Sequence, residues 1–219
     1  MPPPDPALPS PTDEGARIRL ARPEDTPEIV ALSHLVYGTV GAWRPAELES
    51  HQAVFPEGQF VVEASEGGRL LGLAVSLVID SSRWPPGTPW AEVTARGLFT
   101  THDLQSGDTL YGAGVVVHPE ARGLGLARRL YRTRERLLER LGLPRIRAGA
   151  RIPGYGAVAD ALPPERYVDD VRRGLRRDPT LSFQLRMGFR VVGVARDYLP
   201  QDRESRGHAA IVDWEADAE

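Results

Sequence analysis

A valine-rich run, Tyr111 to Val117, is followed after a short break by Arg122-Gly123-Leu124-Gly125-Leu126-Ala127, which leads into an amphipathic run ending at Leu141. No other stretch of the chain constrains its fold as tightly. The apolar run reads as a buried strand, and the leucine spacing from Leu124 to Leu141 reads as a helix. Between them, glycines at 123 and 125 let the backbone turn sharply and come close to a ligand. The unpaired N–H groups and positive dipole end of the helix aim at the same place, so the turn suits phosphate groups. A Gly-x-Gly before a helix also occurs where a connection merely needs room. The full strand in front, the arginine that opens the turn and the small Ala127 in the third slot favour the binding reading.

Spacing excludes two other phosphate loops. A P-loop needs lysine followed by serine or threonine after its last glycine, and the chain has no lysine; positions 126 and 127 are leucine and alanine. The dinucleotide fingerprint Gly-x-Gly-x-x-Gly would need glycine at Arg128, or at Val117 when counted from Gly112 and Gly114.

The run Val116-Val117-His118-Pro119-Glu120-Ala121-Arg122-Gly123-Leu124-Gly125-Leu126-Ala127-Arg128-Arg129-Leu130 resembles the acetyl-CoA-binding motif of the GNAT superfamily of N-acetyltransferases. A separate anchor lies downstream, where Asp178 to Arg190, with Gly188-Phe189, is similar to the family's later helix ending in Gly-Phe before a strand. Arg151 to Tyr155, Tyr167-Val168, Asp197 to Pro200 and Ile211 to Trp214 narrow the likeness to GNAT domains found joined to carbon-nitrogen hydrolases. The likeness covers roughly residues 17 to 215 and is firmest from Asp108 to Trp214. It implies a mixed α/β (α+β) fold with a twisted, mainly antiparallel sheet flanked by helices.

Composition agrees with one domain. The chain has 219 residues, 41% hydrophobic and 26% charged, enough for a substantial core in a single domain of about 200 residues. No run approaches the ~18 apolar residues of a membrane span, and the N-terminus lacks a basic-then-apolar signal, so a cytoplasmic location is expected. Without cysteine, disulfides, thiol catalysis and an acyl-cysteine intermediate are excluded. The five histidines show no His-x-x-His or His-x-x-x-His spacing, and no metal is expected. All 27 basic residues are arginine and asparagine is absent, which points to a GC-rich coding genome.

Met1 to Ala16, with six prolines, reads as a disordered tail ahead of a single acetyltransferase domain from residue 17 to 219. Ile18 and Leu20 alternate as a short strand. Pro23 opens a helix with Glu24 and Asp25 in its first turn, and a second helix is expected after Pro45. Phe60 to Ala64 and Leu70 to Ile79 read as strands joined at Glu66-Gly67-Gly68. Asp80 to Pro89 is a loop, and Glu92 reads as the end of a solvated strand. The helix after the glycine turn buries Leu126, Leu130, Leu137, Leu138 and Leu141; Arg128, Arg129, Arg132, Arg134, Arg136 and Arg140 form a solvated face interleaved with Glu135 and Glu139. Arg128 and Arg129 stand out, because cations in a first turn are disfavoured unless an anion lies nearby. Arg145 to Ala150 is a strand, Asp160 to Gly174 a helix, Leu181 to Met187 a short helix, and Phe189 to Tyr198 and Ala209 to Trp214 strands.

The resemblance implies acetyl-CoA as co-substrate. Its pantetheine arm would add as a strand against Val115, Val116 and Val117, with the pyrophosphate on the amides of Arg122, Gly123, Leu124, Gly125, Leu126, Ala127 and Arg128. The acetyl group would pass directly to a primary amine on a small molecule or peptide, with no nucleic acid or membrane partner and a monomer or homodimer as the working form. Where many relatives have a proton-donating tyrosine this chain has Gln184, and their asparagine is replaced by Arg177 or Asp178. Tyr155 is the substitute acid and Glu92 the candidate base, with Tyr111 and Tyr198 as rivals. Two alternatives stand beside this: a catalytically silent CoA-sensing module, and an enzyme for a longer acyl-CoA.

Overall fold

The computed structural model describes residues 15–216. The expected N-terminal tail lies outside them except at its end, where Ala16 already opens the first strand. Seven strands form one sheet: β1 (Ala16–Leu20), β2 (Gln59–Ala64), β3 (Leu70–Ile79), β4 (Thr109–Val117), β5 (Arg145–Arg151), β6 (Arg190–Ala195) and β7 (Ala209–Glu215), in the order β1-β2-β3-β4-β5-β7-β6. β4 and β5 run parallel, whereas β1/β2, β2/β3, β5/β7 and β6/β7 are antiparallel. The helices are α1 (Thr26–Gly41), α2 (Pro45–Val54), α3 (Trp90–Val93), α4 (Leu126–Leu141), α5 (Pro164–Arg172) and α6 (Leu181–Arg186). This is a mixed α/β fold with a mainly antiparallel sheet flanked by helices. The chain divides into two compact units, one of Met1–Val75 with Gly114–Arg134 and the other of Ser76–Ala113 with Glu135–Glu219.

In the first unit β1 pairs with β2 from Ala16↔Ala64 to Leu20↔Phe60. Arg19 holds that pairing by donating to Asp25 at 2.6 and 2.8 Å and to Glu63 at 3.0 Å. Pro23 opens a 3-10 turn to Asp25, and α1 follows from Thr26. The hairpin from β2 to β3 closes at Gly67 and Gly68, both left-handed, with Ala64 N bonded to Arg69 O at 2.8 Å. β3 is buried along its whole length, as expected of a strand covered on both faces.

In the second unit β5 is central. It pairs with β4 from Thr109↔Arg145 to Gly112↔Ala148, and with β7 from Arg145↔Glu215 to Arg151↔Ala209. Arg147 and Asp213 face each other in that register and form a buried two-pronged pair, 2.8 Å on each prong. β6 is the outer strand, with a register shift between Val191 and Gly193.

Several boundaries differ from expectation for local reasons. The helix after the glycine turn begins at Leu126 rather than Leu124, because Gly125 is still left-handed at φ +76°. The segment expected to be helical from Asp160 starts at Pro164, since a residue before proline avoids the helical region and Pro163, at φ −69° and ψ 153°, is extended. The strand from Phe189 ends at Ala195, ahead of the left-handed Asp197. Glu92 lies on the single-turn helix α3, not on a strand.

Candidate active site

The glycine turn expected to hold the CoA pyrophosphate lies in the first unit. β4 ends at Val117, and His118 N continues the contact with β3 by donating to Leu71 O at 2.9 Å. A 3-10 turn, Pro119–Ala121, follows, capped by His118 Nδ1, which accepts from Glu120 N at 3.3 Å. Arg122 is extended and exposed. Gly123 (φ +84°) and Gly125 (φ +76°) both take the left-handed conformation that side chains disfavour. A Cβ at either would meet nothing within 4 Å, so the space in front of both is open.

Left-handed residues placed this way turn successive N–H groups into one concavity. The first bond into α4 runs from Arg129 N to Gly125 O at 3.1 Å. The amides of Leu126, Ala127 and Arg128 precede it and have no partner within the helix. Two left-handed glycines with open space in front thus precede the free N-terminal amides and positive dipole end of α4, an arrangement suited to a pyrophosphate. Arg128 is exposed there. Arg129, also expected to face an anion, instead spends its guanidinium on Ala16 O at 2.8 Å.

The end of β4 is held by side chains. Tyr37 on α1 donates its hydroxyl to Val115 O at 2.9 Å. Arg134 on α4 donates from Nη2 to Val75 O at 2.7 Å and to Gly114 O at 2.5 Å. Val116 is buried, whereas Val115 and Val117 are half-buried. The expected solvated face of this helix therefore needs correction at positions 134 and 135, where Arg134 is 1% and Glu135 5% exposed. The spacing carried the signal: Leu126, Leu130, position 134 and Leu138 form one i, i+4 row, so Arg134 sits in the middle of the apolar stripe.

The residues expected to move protons lie in the second unit. Glu92 is exposed on α3. Tyr155 stands in the 3-10 turn Pro153–Ala157 that follows β5 and is buried. Its hydroxyl donates to Leu162 O at 3.0 Å, and its ring packs against Tyr167 and His208 at centroid distances of 5.5 and 5.8 Å. An open depression of about 320 Å³ lies beside it, bordered by Leu162, Pro163, Arg196 and His208. Asp178, one of the two residues in place of the family's asparagine, is a buried hub. It accepts from Gly154 N (3.0 Å), Tyr167 hydroxyl, Thr180 N and Leu181 N (2.9 Å each). Gln184 is buried on α6.

Tyr111 and Tyr198 hydrogen-bond to each other through their hydroxyls. Burial pushes both phenols well above the usual tyrosine range. The Tyr198 ring lies directly over Gly149 on β5, where a Cβ would overlap it. Trp90 approaches from the same unit, with Nε1 donating to Ala113 O at 3.0 Å. Among the described residues no group of three or more His, Asp or Glu side chains is arranged to hold a metal ion, and no helix is long and apolar enough to cross a membrane.

Comparison with known proteins converges on one family. Residues 29–162 match the model of the acetyltransferase (GNAT) family. The chain is 35% identical over 197 residues to the Bacillus subtilis (strain 168) protein named "Probable hydrolase YhcX", covering 90% of this chain but only 38% of that protein's length. It is 34% identical over 172 residues to the "Uncharacterized N-acetyltransferase YkwB" of the same organism, 78% of this chain and 74% of the relative. Among solved structures it is similar to the GphF GNAT-like decarboxylase in complex with isobutyryl-CoA, with 28% identity, TM-score 0.78, and coverage of 91% of this chain and 98% of the other. The likeness to YhcX agrees with a GNAT domain of the kind associated with hydrolases.

Proposed function

The chain belongs to the GNAT family of acetyltransferases, and from that membership we propose that it binds acetyl-CoA and passes the acetyl group directly to a primary amine. The observation that carries the reading is the cradle at Gly123 and Gly125, left-handed and open in front, ahead of the α4 amides. The pyrophosphate rests on the amides from Gly123 to Arg128. The pantetheine arm lies as an added strand along Val115, Val116 and Val117, whose N–H groups polarise the thioester carbonyl.

Transfer needs a neutral amine. Its nitrogen attacks the thioester carbon, the new C–N bond forms as the C–S bond breaks, and the departing thiolate takes up a proton. Glu92 is the proposed base, an exposed carboxylate able to take the amine's proton directly or through water. Tyr155 is the proposed acid. To serve, its hydroxyl must turn away from Leu162 O, giving up a hydrogen bond worth about 1 kcal/mol. The Tyr111–Tyr198 pair is the rival donor.

A second reading, a different acyl-CoA as substrate, is favoured by the likeness to GphF, whose complex holds isobutyryl-CoA. A third, a CoA-binding module without chemistry, is favoured by Gln184 at the usual tyrosine position. One experiment separates the three. The protein is incubated with acetyl-CoA or isobutyryl-CoA, with and without a panel of primary amines, while free thiol is measured. Amine-dependent thiol release from acetyl-CoA, lowered at least tenfold by Glu92→Gln with CoA affinity kept, is the expected result. Faster turnover of isobutyryl-CoA would move the assignment to the second reading, and no release from either would move it to the third.

A further inference from the structure

Two side chains, Arg134 and Tyr37, act on the backbone of the proposed thioester strand. Arg134 is the larger anomaly. A leucine in its place would continue the stripe of Leu126, Leu130 and Leu138, whereas burying a guanidinium costs several kcal/mol before its hydrogen bonds are counted. Desolvation pulls the Arg134 pKa below its ordinary value. The charge is retained in a place where an apolar side chain would pack.

What Arg134 gains is a grip on the backbones of two strands. One nitrogen bridges Val75 O on β3 and Gly114 O on β4, and its helix begins at the phosphate cradle two turns earlier, about 12 Å away along the axis. Close approach is built in at the strand: a Cβ at residue 114 would lie 3.3 Å from Val75 Cγ2 and 3.4 Å from the Trp43 ring. Tyr37 grips the next residue by donating to Val115 O at 2.9 Å. In an extended strand the N–H and C=O of one residue project to the same side. A hydroxyl that fixes the Val115 carbonyl therefore also fixes the direction of the Val115 N–H.

We propose that Arg134 and Tyr37 are positioning residues of the donor site: Arg134 sets the register between the pyrophosphate turn and the thioester strand, and Tyr37 orients the amide edge at Val115. The proposal rests on the donor-site reading given above. Rigidly held donors cost no reorganisation when a ligand or a developing oxyanion meets them. A floppy strand would bind the adenine end of CoA as before but would receive the pantetheine arm poorly.

The test compares CoA with 3′-phospho-ADP, a fragment that reaches the cradle and lacks the pantetheine arm, by calorimetric titration. Tyr37→Phe keeps the ring and removes only the hydroxyl. It should weaken CoA binding about five- to tenfold, the scale of one oriented hydrogen bond, while leaving 3′-phospho-ADP within about twofold. Arg134→Lys should bind CoA better than Arg134→Met. Where Arg134→Met fails to fold, Tyr37→Phe decides alone. If Tyr37→Phe binds both ligands as the parent does, or loses both equally, the positioning role is overturned. If the parent protein itself binds neither ligand, it is the donor-site reading that fails.

Discussion

Gly-x-Gly occurs at the exits of both parallel strands, as Gly123-Leu124-Gly125 after β4 and as Gly154-Tyr155-Gly156 after β5, and the two copies serve opposite ends. After β4 both glycines have positive φ and open space in front. After β5 neither has positive φ, and both are crowded: a Cβ on Gly154 would strike the Tyr167 hydroxyl, and one on Gly156 would come within 2.6 Å of Glu204 O. One pair faces open space, the other makes room for the protein's own atoms. Identical spacing thus says that the backbone needs room, while conformation and surroundings say for whom.

The strongest way to break that comparison is to fill each turn. Gly125→Val forces a β-branched residue into the left-handed region, costing about 2 kcal/mol locally, and puts a side chain where the pyrophosphate is proposed to lie. CoA affinity should fall at least about a hundredfold, with Tm lowered by only a few degrees. Gly156→Val overpacks against backbone and should cost about 3 kcal/mol, or roughly 6–12 °C in Tm for a chain of this size. The fraction that remains folded should bind CoA as before. Thermal scans with and without CoA read both quantities, and a Gly156→Val protein that loses affinity while keeping its Tm would abolish the distinction.

The same contrast explains what the sequence could disclose. The turn at Gly123 and Gly125 was legible because left-handed backbone before a helix writes itself in glycines. The mainly antiparallel sheet followed from the family resemblance, and most strands were placed within a residue or two of their ends. Arg134 escaped because a charged residue in a leucine row was assigned by its type and not by its position on the helix. Tyr37 escaped because nothing local marks a hydroxyl whose acceptor, Val115 O, is 78 residues away in sequence. Tyr155 was legible as a residue in an irregular turn after a strand, yet its partners Leu162, Tyr167 and His208 come from three later segments.

A smaller effect separates the β5 exit through pH. Arg151, the last residue of β5, grips Asp202 with two bonds of 2.6 Å, and Ser205 N also donates to that carboxylate. Burial alone would raise the Asp202 pKa, but these partners outweigh it and hold the carboxyl below the usual range. A depressed folded pKa contributes stability above the unfolded value, about 3.9, and that contribution is lost as pH falls through the folded value. The Asp202→Asn protein should therefore be less stable than its parent by about 1–2 kcal/mol at pH 7, with the gap closing below about pH 4. Urea unfolding at pH 7, 5 and 3 measures it. A gap that stayed constant with pH would show that the Asp202 charge contributes nothing and that its hydrogen-bonding shape alone matters.

The smallest effect distinguishes two adjacent cations at the β4 exit. Arg128 and Arg129 both stand in the first turn of α4, where the dipole disfavours positive charge by a few tenths of a kcal/mol. Arg129 is bound to Ala16 O, so Arg129→Ala should cost about 1 kcal/mol of stability and leave CoA affinity nearly unchanged. Arg128 is exposed beside the cradle. Arg128→Ala should leave stability level or slightly raised by relief of the dipole clash, and should weaken CoA about three- to fivefold at low salt. Because an exposed charge acts through water, that loss should shrink as ionic strength rises from about 0.01 to 0.5 M, where the screening length drops from about 30 Å to a few ångström. Titrations of CoA at both salt concentrations decide the matter. A salt-independent loss at Arg128 would mean that its stem packs against the ligand, and an equal loss at Arg129 would mean that its grip on Ala16 shapes the cradle after all.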